Sequence, residues 1–132
     1  MALNSNHEQT RAAIREKVQE LMEDLGAEPV LDLTQSFISE SPASLAEIES
    51  NWANQQIEEL KRSAHSFKSL NQVYGLLEAA QLAADIEAAC ANSSLTAIPG
   101  MIEQLVSAWD RGAAELIEIL KAEHGLEIAS PK

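Results

Sequence analysis

The sequence predicts an all-α fold, an up-down antiparallel four-helix bundle with an additional N-terminal helix. Aromatic residues make up only 4% of the chain, and no run of alternating β-branched residues is typical of a strand. Apolar residues recur at three- and four-residue steps, and short connections between such segments favour antiparallel neighbours. A chain of 132 residues with 45% hydrophobic content can form one core, so we expect a single domain.

The first helix is predicted from His7 to Leu25. Gly26 is a plausible stop signal after it. We therefore assign residues 1–28 to an N-terminal capping helix and its leader. The apolar residues of this helix follow a helical stripe and are Ala13, Ile14, Val18, Leu21, Met22 and Leu25.

A second helix is predicted from Pro29, a residue suited to a first helical turn, to about Asn54. Pro42 interrupts its apolar pattern. Either the helix kinks there or a new helix starts with Ser41 as its cap. We favour a single kinked helix.

Two further helices follow. The third is predicted from Gln55 to Tyr74, where Gly75 ends it. The fourth runs from Leu76 to Ala91 and ends in a polar turn at residues 92–94.

The fifth helix begins between Leu95 and Pro99 in this interpretation. His124 and Gly125 end it, since a cation-capable side chain followed by glycine is typical of a helix C-terminus. Residues 29–125 then form the bundle, and residues 126–132 are expected to be a flexible tail.

Composition excludes several partners. The chain has 21 acidic and 9 basic residues, a net charge of −12, which repels nucleic acid and anionic membranes. Its one cysteine, Cys90, cannot form an internal disulfide and is expected in the core. No apolar stretch of signal-peptide or transmembrane length is evident, so we expect a cytoplasmic protein.

The segment Leu60–Gly75 carries the most information about function. On a helix of about 3.6 residues per turn, one side of it forms an apolar stripe predicted to face the core. Asn71 falls within that stripe and would need a hydrogen-bond partner there. The apolar members of the stripe are Leu60, Ala64, Phe67, Leu70 and Tyr74, with Leu70 placed in the core.

His65 lies about 140° around the helix from Leu60 and therefore points out of the core. Neutral imidazole, with an ordinary pKa of about 6.5, is a competent nucleophile near pH 7. Lys68 could stabilise a phosphoryl group on this ring by a charge-assisted hydrogen bond. The residues predicted to surround the ring and contact a partner are Lys61, Arg62, Ser69 and Gln72.

These residues resemble the signature of the histidine-containing phosphotransfer (HPt) family, A-H-x-x-K-G with a glycine ten residues after the histidine. The chain reads Ala64-His65-Ser66-Phe67-Lys68-Ser69, and Gly75 stands at the expected distance. Residues 37–48 resemble the family's preceding helix, and Leu82–Glu87 resembles its following Leu-Glu segment. The likeness spans about residues 30–120.

The resemblance implies a four-helix bundle that carries phosphoryl groups between receiver-domain aspartates, with His65 as acceptor and Lys68 as its electrostatic partner. Expected partners are response-regulator receiver domains and a hybrid histidine kinase, and no cofactor is expected. The chain departs from the family pattern at Ser69, where glycine is commonest. It also departs at Leu70 and Asn71, where small residues are usual.

Other function classes fit less well. The five glycines are scattered and form no phosphate-cradling loop, which disfavours a kinase or hydrolase. His7, His65 and His124 lie far apart, and no paired Glu-x-x-His spacing indicates a bundle metal site. A non-phosphorylated helical adaptor that binds a receiver domain or regulator stays the alternative. We expect a monomer.

Overall fold

The computed structural model describes residues 2–129, with side chains from residue 8 onward. This part of the chain contains five α-helices and no strand, so the predicted all-α class is confirmed. A short 3₁₀ turn, Leu95–Ala97, precedes the last helix. The helices are α1 Ala2–Leu25, α2 Ala27–Ala53, α3 Ile57–Val73, α4 Leu77–Ala91 and α5 Ile98–His124.

The prediction of a single second helix is confirmed, since α2 passes through Pro42 without ending, while the kink expected there stays a prediction. Its first residue is Ala27, two residues before the expected start at Pro29. Ser41 is not a cap. Its buried hydroxyl donates instead to the carbonyl of Phe37, 2.7 Å away and one turn earlier in the same helix.

The core contains apolar side chains from all five helices. α3 packs against α2 and α4, α4 packs against α5, and α1 packs against α5 and α2. Cys90 is buried in this core as predicted, and burial raises the pKa of its thiol. No helix in the described part of the chain is long and apolar enough to cross a membrane.

The prediction that Leu70 lies in the core is wrong, because its side chain is 47% exposed. The buried residues of α3 are Leu60, Ala64, Phe67 and Asn71. Leu70 lies about 100° around the helix from Asn71 and falls outside this stripe. Asn71 takes the central position, where its amide donates to the carbonyl of Phe67 at 2.8 Å.

The turn between α3 and α4 depends on Gly75. Its φ is +75°, a left-handed conformation that favours glycine. A Cβ at this position would lie 2.5 Å from the carbonyl oxygen of Ala13 in α1. Glycine therefore allows α1 to pack directly on the turn.

Ion pairs fasten α1 to α5. Arg11 contacts Glu115 and Glu118, and its Nη1 lies 2.8 Å from the Glu118 carboxylate. Arg15 pairs with Glu123 at 2.6 Å one turn later. The first helix is thus held by ionic contacts as well as by its buried Ile14 and Val18.

The segment after α5 lies against α2. Ile128 is buried, and the backbone N–H of Ala129 donates to Oε1 of Gln35 at 3.0 Å. The flexibility expected for residues 126–132 stays a prediction. Residues 130–132 of that segment lie outside the described residues.

Candidate functional site

His65 lies in the middle of α3 with its side chain 56% exposed. The neighbouring Ala64 and Phe67 are almost fully buried and fix this face of the helix against the core. The imidazole therefore projects to the surface, as the helical register predicts. A second protein can reach the ring without any opening of the bundle.

One nitrogen of the ring is already engaged. Nδ1 of His65 lies 2.8 Å from Oε2 of Glu87 on α4. An ionised carboxylate can only accept, so Nδ1–H is the donor in this pair. In the neutral ring the lone pair is then on Nε2, which is left for reaction.

Lys68 binds the other oxygen of the same carboxylate, with Nζ 3.1 Å from Oε1 of Glu87. Burial raises the pKa of Glu87, but the hydrogen bonds from Lys68 and His65 outweigh it and lower the pKa below its ordinary value. The carboxylate is therefore ionised at neutral pH. It holds the imidazole and the ammonium group beside each other.

Of the two basic residues predicted to surround the ring besides Lys68, the structure places only one close to the histidine in the helix. Lys61 is half-buried on α3, one turn before the histidine. Arg62 is exposed and pairs with Glu59 of the same helix. It lines a separate polar groove between α2 and α3 together with Ser66, so the structure does not direct it towards the imidazole.

Ser69 and Gln72 are both exposed on α3 beyond the histidine. The Ser69 hydroxyl donates to the backbone carbonyl of His65 at 3.2 Å. Because this hydroxyl bonds back to the helix, Ser69 adds little bulk to the surface beside the imidazole.

The contact between Glu87 and His65 was not predicted from the sequence, where Glu87 was named only as the end of the segment Leu82–Glu87 that resembles the family. A signal was available, because Leu76, next to Gly75 in the turn, lies midway between the two residues along the chain. Helices joined by a tight turn fold back on each other, so positions at similar distances on either side of the turn come together. A carboxylate on α4 at about the same distance from the turn as His65 on α3 is therefore predicted to contact His65.

A second surface feature lies on the opposite flank of α3. Four of the exposed large apolar side chains, Leu25, Leu33, Leu70 and Val73, line a groove of about 280 Å³ formed by α1, α2 and α3. Such a contiguous apolar surface is typical of a place where another protein binds. Leu70 also lines the polar groove that contains Arg62.

The described residues contain no group of three or more histidine, cysteine or acidic side chains that could hold a metal ion. The fold and the site define the class of small helical proteins that present an accessible histidine on a helix face, here His65 on α3.

The comparison with protein families identifies this class. The Hpt domain model matches residues 32–122, more than half of the chain, and the chain belongs to the Hpt domain family. Domains of this family are phosphocarriers that act with receiver domains in phosphorelay signalling. The comparison with curated proteins gives no match, and the comparison with solved structures gives none either.

Proposed function

We propose that this protein accepts a phosphoryl group on His65 from the aspartate of one receiver domain and passes it to another response regulator. The observation that carries the proposal is the hydrogen bond between Nδ1 of His65 and Glu87, which leaves Nε2 as the nucleophile on an exposed ring. The reaction needs no nucleotide site in this chain. We therefore class the protein as a carrier and not as an enzyme.

The transfer step follows from this geometry. The lone pair of Nε2 attacks phosphorus, a P–N bond forms, and the bond from phosphorus to the aspartate oxygen breaks. The electron pair of that bond leaves with the partner's carboxylate. The ring gains positive charge as the P–N bond forms, and Glu87 stabilises that charge through Nδ1–H.

Lys68 supports the same step from the side. Its ammonium group shares a carboxylate with the ring and so lies close to the incoming phosphoryl oxygens. Charge-assisted hydrogen bonds to phosphate are strong, so a phosphoryl group can compete with Glu87 for this lysine. His65, Glu87 and Lys68 therefore form one unit across α3 and α4, in which Glu87 contacts both of the other side chains.

The proposed partner surface surrounds this unit. Lys61, Ser69 and Gln72 lie one or two turns from His65 on α3, and Arg62 lies at its edge. We infer that a receiver domain contacts these side chains when its aspartate reaches the imidazole. The cognate regulator and the hybrid kinase remain expectations of the sequence.

The helix directions support the up-down arrangement that we propose for residues 29–125. Arg11 pairs with Glu115 and Glu118, and Arg15 pairs with Glu123, so α1 and α5 advance in the same direction. Each consecutive pair of helices is joined by a short connection. In this arrangement residues 1–28 cap the bundle and residues 126–132 follow it. The cytoplasmic location and the monomeric state stay predictions.

The decisive experiment incubates the protein with a phosphorylated receiver domain. Wild type should acquire label that is lost in acid and retained in base, as expected for phosphohistidine. His65→Gln should acquire none, because it lacks the acceptor nitrogen. The matched control is His124→Gln, which changes a histidine on α5 and should be labelled like wild type.

A non-phosphorylated adaptor is the second candidate, and the apolar groove beside α3 favours it, because binding alone needs a surface and no nucleophile. Tight binding of a phosphorylated receiver by wild type and His65→Gln alike, with label on neither, would establish the adaptor and refute the carrier.

A further inference from the structure

Two buried polar atoms in the interior have no partner among the residues that the structure describes. They are Oδ1 of Asn71 on α3 and Nε1 of Trp109 on α5. Their residues have relative exposures of 0% and 2%. An amide oxygen accepts and an indole N–H donates, so the two atoms are chemically complementary.

The contacts between α3 and α4 set the level of Asn71 in the molecule. His65 lies opposite Glu87, and the two helices run in opposite directions because only the turn at residues 74–76 joins them. Moving six residues towards that turn from each partner leads to Asn71 on α3 and to Gln81 on α4. These two residues are therefore level with each other.

The contacts between α4 and α5 set the level of Trp109 in the same way. Glu78 accepts two hydrogen bonds from Arg111, both at 3.0 Å. Moving three residues away from this pair on each helix leads to Gln81 and to Ala108, the residue before Trp109. Asn71 and Trp109 thus project into the interior at the same level from opposite sides.

Small side chains of α4 and α5 lie near this level. Ala80 and Ala83 of α4 and Ala108 of α5 are all buried. Side chains on a helix lean towards its N-terminus, so the Trp109 indole extends over the turn that contains Ala108. Phe37 of α2 stacks on Tyr74, one turn after Asn71, with ring centroids 4.6 Å apart, and meets the Trp109 ring edge-on at 6.3 Å. Asn71 and Trp109 therefore border the same part of the interior.

Buried donors and acceptors in proteins nearly always have a partner, because an unpaired one loses its hydration without compensation. Where two complementary groups converge without bonding directly, a buried water is the usual partner. We propose that one buried water molecule accepts a hydrogen bond from Nε1 of Trp109 and donates one to Oδ1 of Asn71.

This water site has a structural consequence for the histidine helix. The Asn71 amide already donates to the carbonyl of Phe67 within α3. The water extends that bond to α5, on the far side of the interior. It ties the rotation of α3, and with it the direction in which His65 projects, to a helix that α3 does not pack against directly.

The first test uses the wild-type protein and nuclear magnetic resonance. Trp109→Phe assigns the Nε1–H signal of Trp109, and the half-buried Trp52 gives the control signal. We expect the Trp109 signal to show cross-relaxation with a long-lived water and slow hydrogen exchange. Absence of that water signal in the wild type overturns the proposal.

The second test measures coupling in unfolding experiments on Asn71→Ala, Trp109→Phe and the double variant. Groups that share a bridging water are energetically coupled. The double variant should therefore lose less of its folding equilibrium constant than the two single losses multiplied together, by a factor of at least about three. Electron density provides a check that needs no variant. A dry site, a direct Asn71–Trp109 bond or fully multiplicative losses would each refute the bridge.

Discussion

At the scale of single residues, Glu87 connects the two groups that the proposed reaction needs. One oxygen contacts His65 and the other contacts Lys68, at 2.8 and 3.1 Å. The carboxylate orients the ring, leaves Nε2 as the nitrogen available for the proposed attack and holds the ammonium group nearby. Its side chain is 24% exposed, so solvent screens these interactions only in part.

The lowered pKa of Glu87 predicts a pH dependence of stability. A carboxyl group with a lowered folded-state pKa stabilises the fold above its ordinary pKa, near 4.5, and this contribution is lost as the pH falls through the folded value. Urea unfolding should therefore show wild type more stable than Glu87→Gln at pH 7, with the difference shrinking as the pH falls below the ordinary carboxyl pKa of 4.5. Glu49→Gln, an exposed change on α2, serves as the control and should show no comparable trend.

Lys68→Ala should slow phosphoryl transfer while leaving the fold intact. Partly exposed ion pairs contribute about 1 kcal/mol or less to stability, whereas loss of a donor to developing charge costs tenfold or more in rate, to order of magnitude. Rapid-quench measurement of transfer from a labelled receiver domain gives the rate, and urea unfolding gives the stability. Lys121→Ala on α5 is the matched control. Equal transfer rates for the two variants would remove Lys68 from the mechanism.

At the scale of elements, the turn between α3 and α4 is constrained both by the positive φ of Gly75 and by its contact with α1. Gly75→Ala should destabilise the protein by about 1–3 kcal/mol, because an alanine is strained at this left-handed φ and its Cβ would also meet the α1 backbone. Gly26→Ala is the control, since its φ is also positive but a Cβ there has nothing within 4 Å. Thermal unfolding should show the larger loss for Gly75→Ala. Equal losses would mean that the contact with Ala13 contributes nothing.

The register of α3 could be predicted from sequence, because 3.6-residue periodicity separates its buried face from its exposed face. That register placed His65 on the surface and Phe67 in the core correctly. It failed for Leu70, whose apolar character indicated burial although the neighbouring Asn71 occupies the central position. Glu87 was missed because its contact joins two helices. Periodicity within one helix contains no information about its neighbour.

At the scale of the whole molecule, charge opposes compactness. With 21 acidic and 9 basic residues, repulsive pairs outnumber attractive ones, although the arginine pairs between α1 and α5 act in the opposite sense. Raising the salt concentration from about 0.01 to about 0.1 M shortens the screening length from about 30 to about 10 Å. We therefore expect the urea midpoint to rise with added salt.

The control for this salt effect is a variant with fewer exposed acids, Glu16→Gln, Glu49→Gln and Glu103→Gln combined. Its midpoint should depend less on salt than that of wild type. A midpoint that falls with added salt would instead show that the ion pairs of α1 dominate.

The double use of one carboxylate makes the phosphorelay chemistry sensitive to a minimal genetic change. A single nucleotide substitution converts a glutamate codon into one for glutamine. At position 87 that change would keep a hydrogen-bond acceptor for the His65 ring and remove the negative charge that binds the Lys68 ammonium group. Variation among descendants of this protein could therefore alter how long a phosphoryl group is retained without rebuilding the bundle.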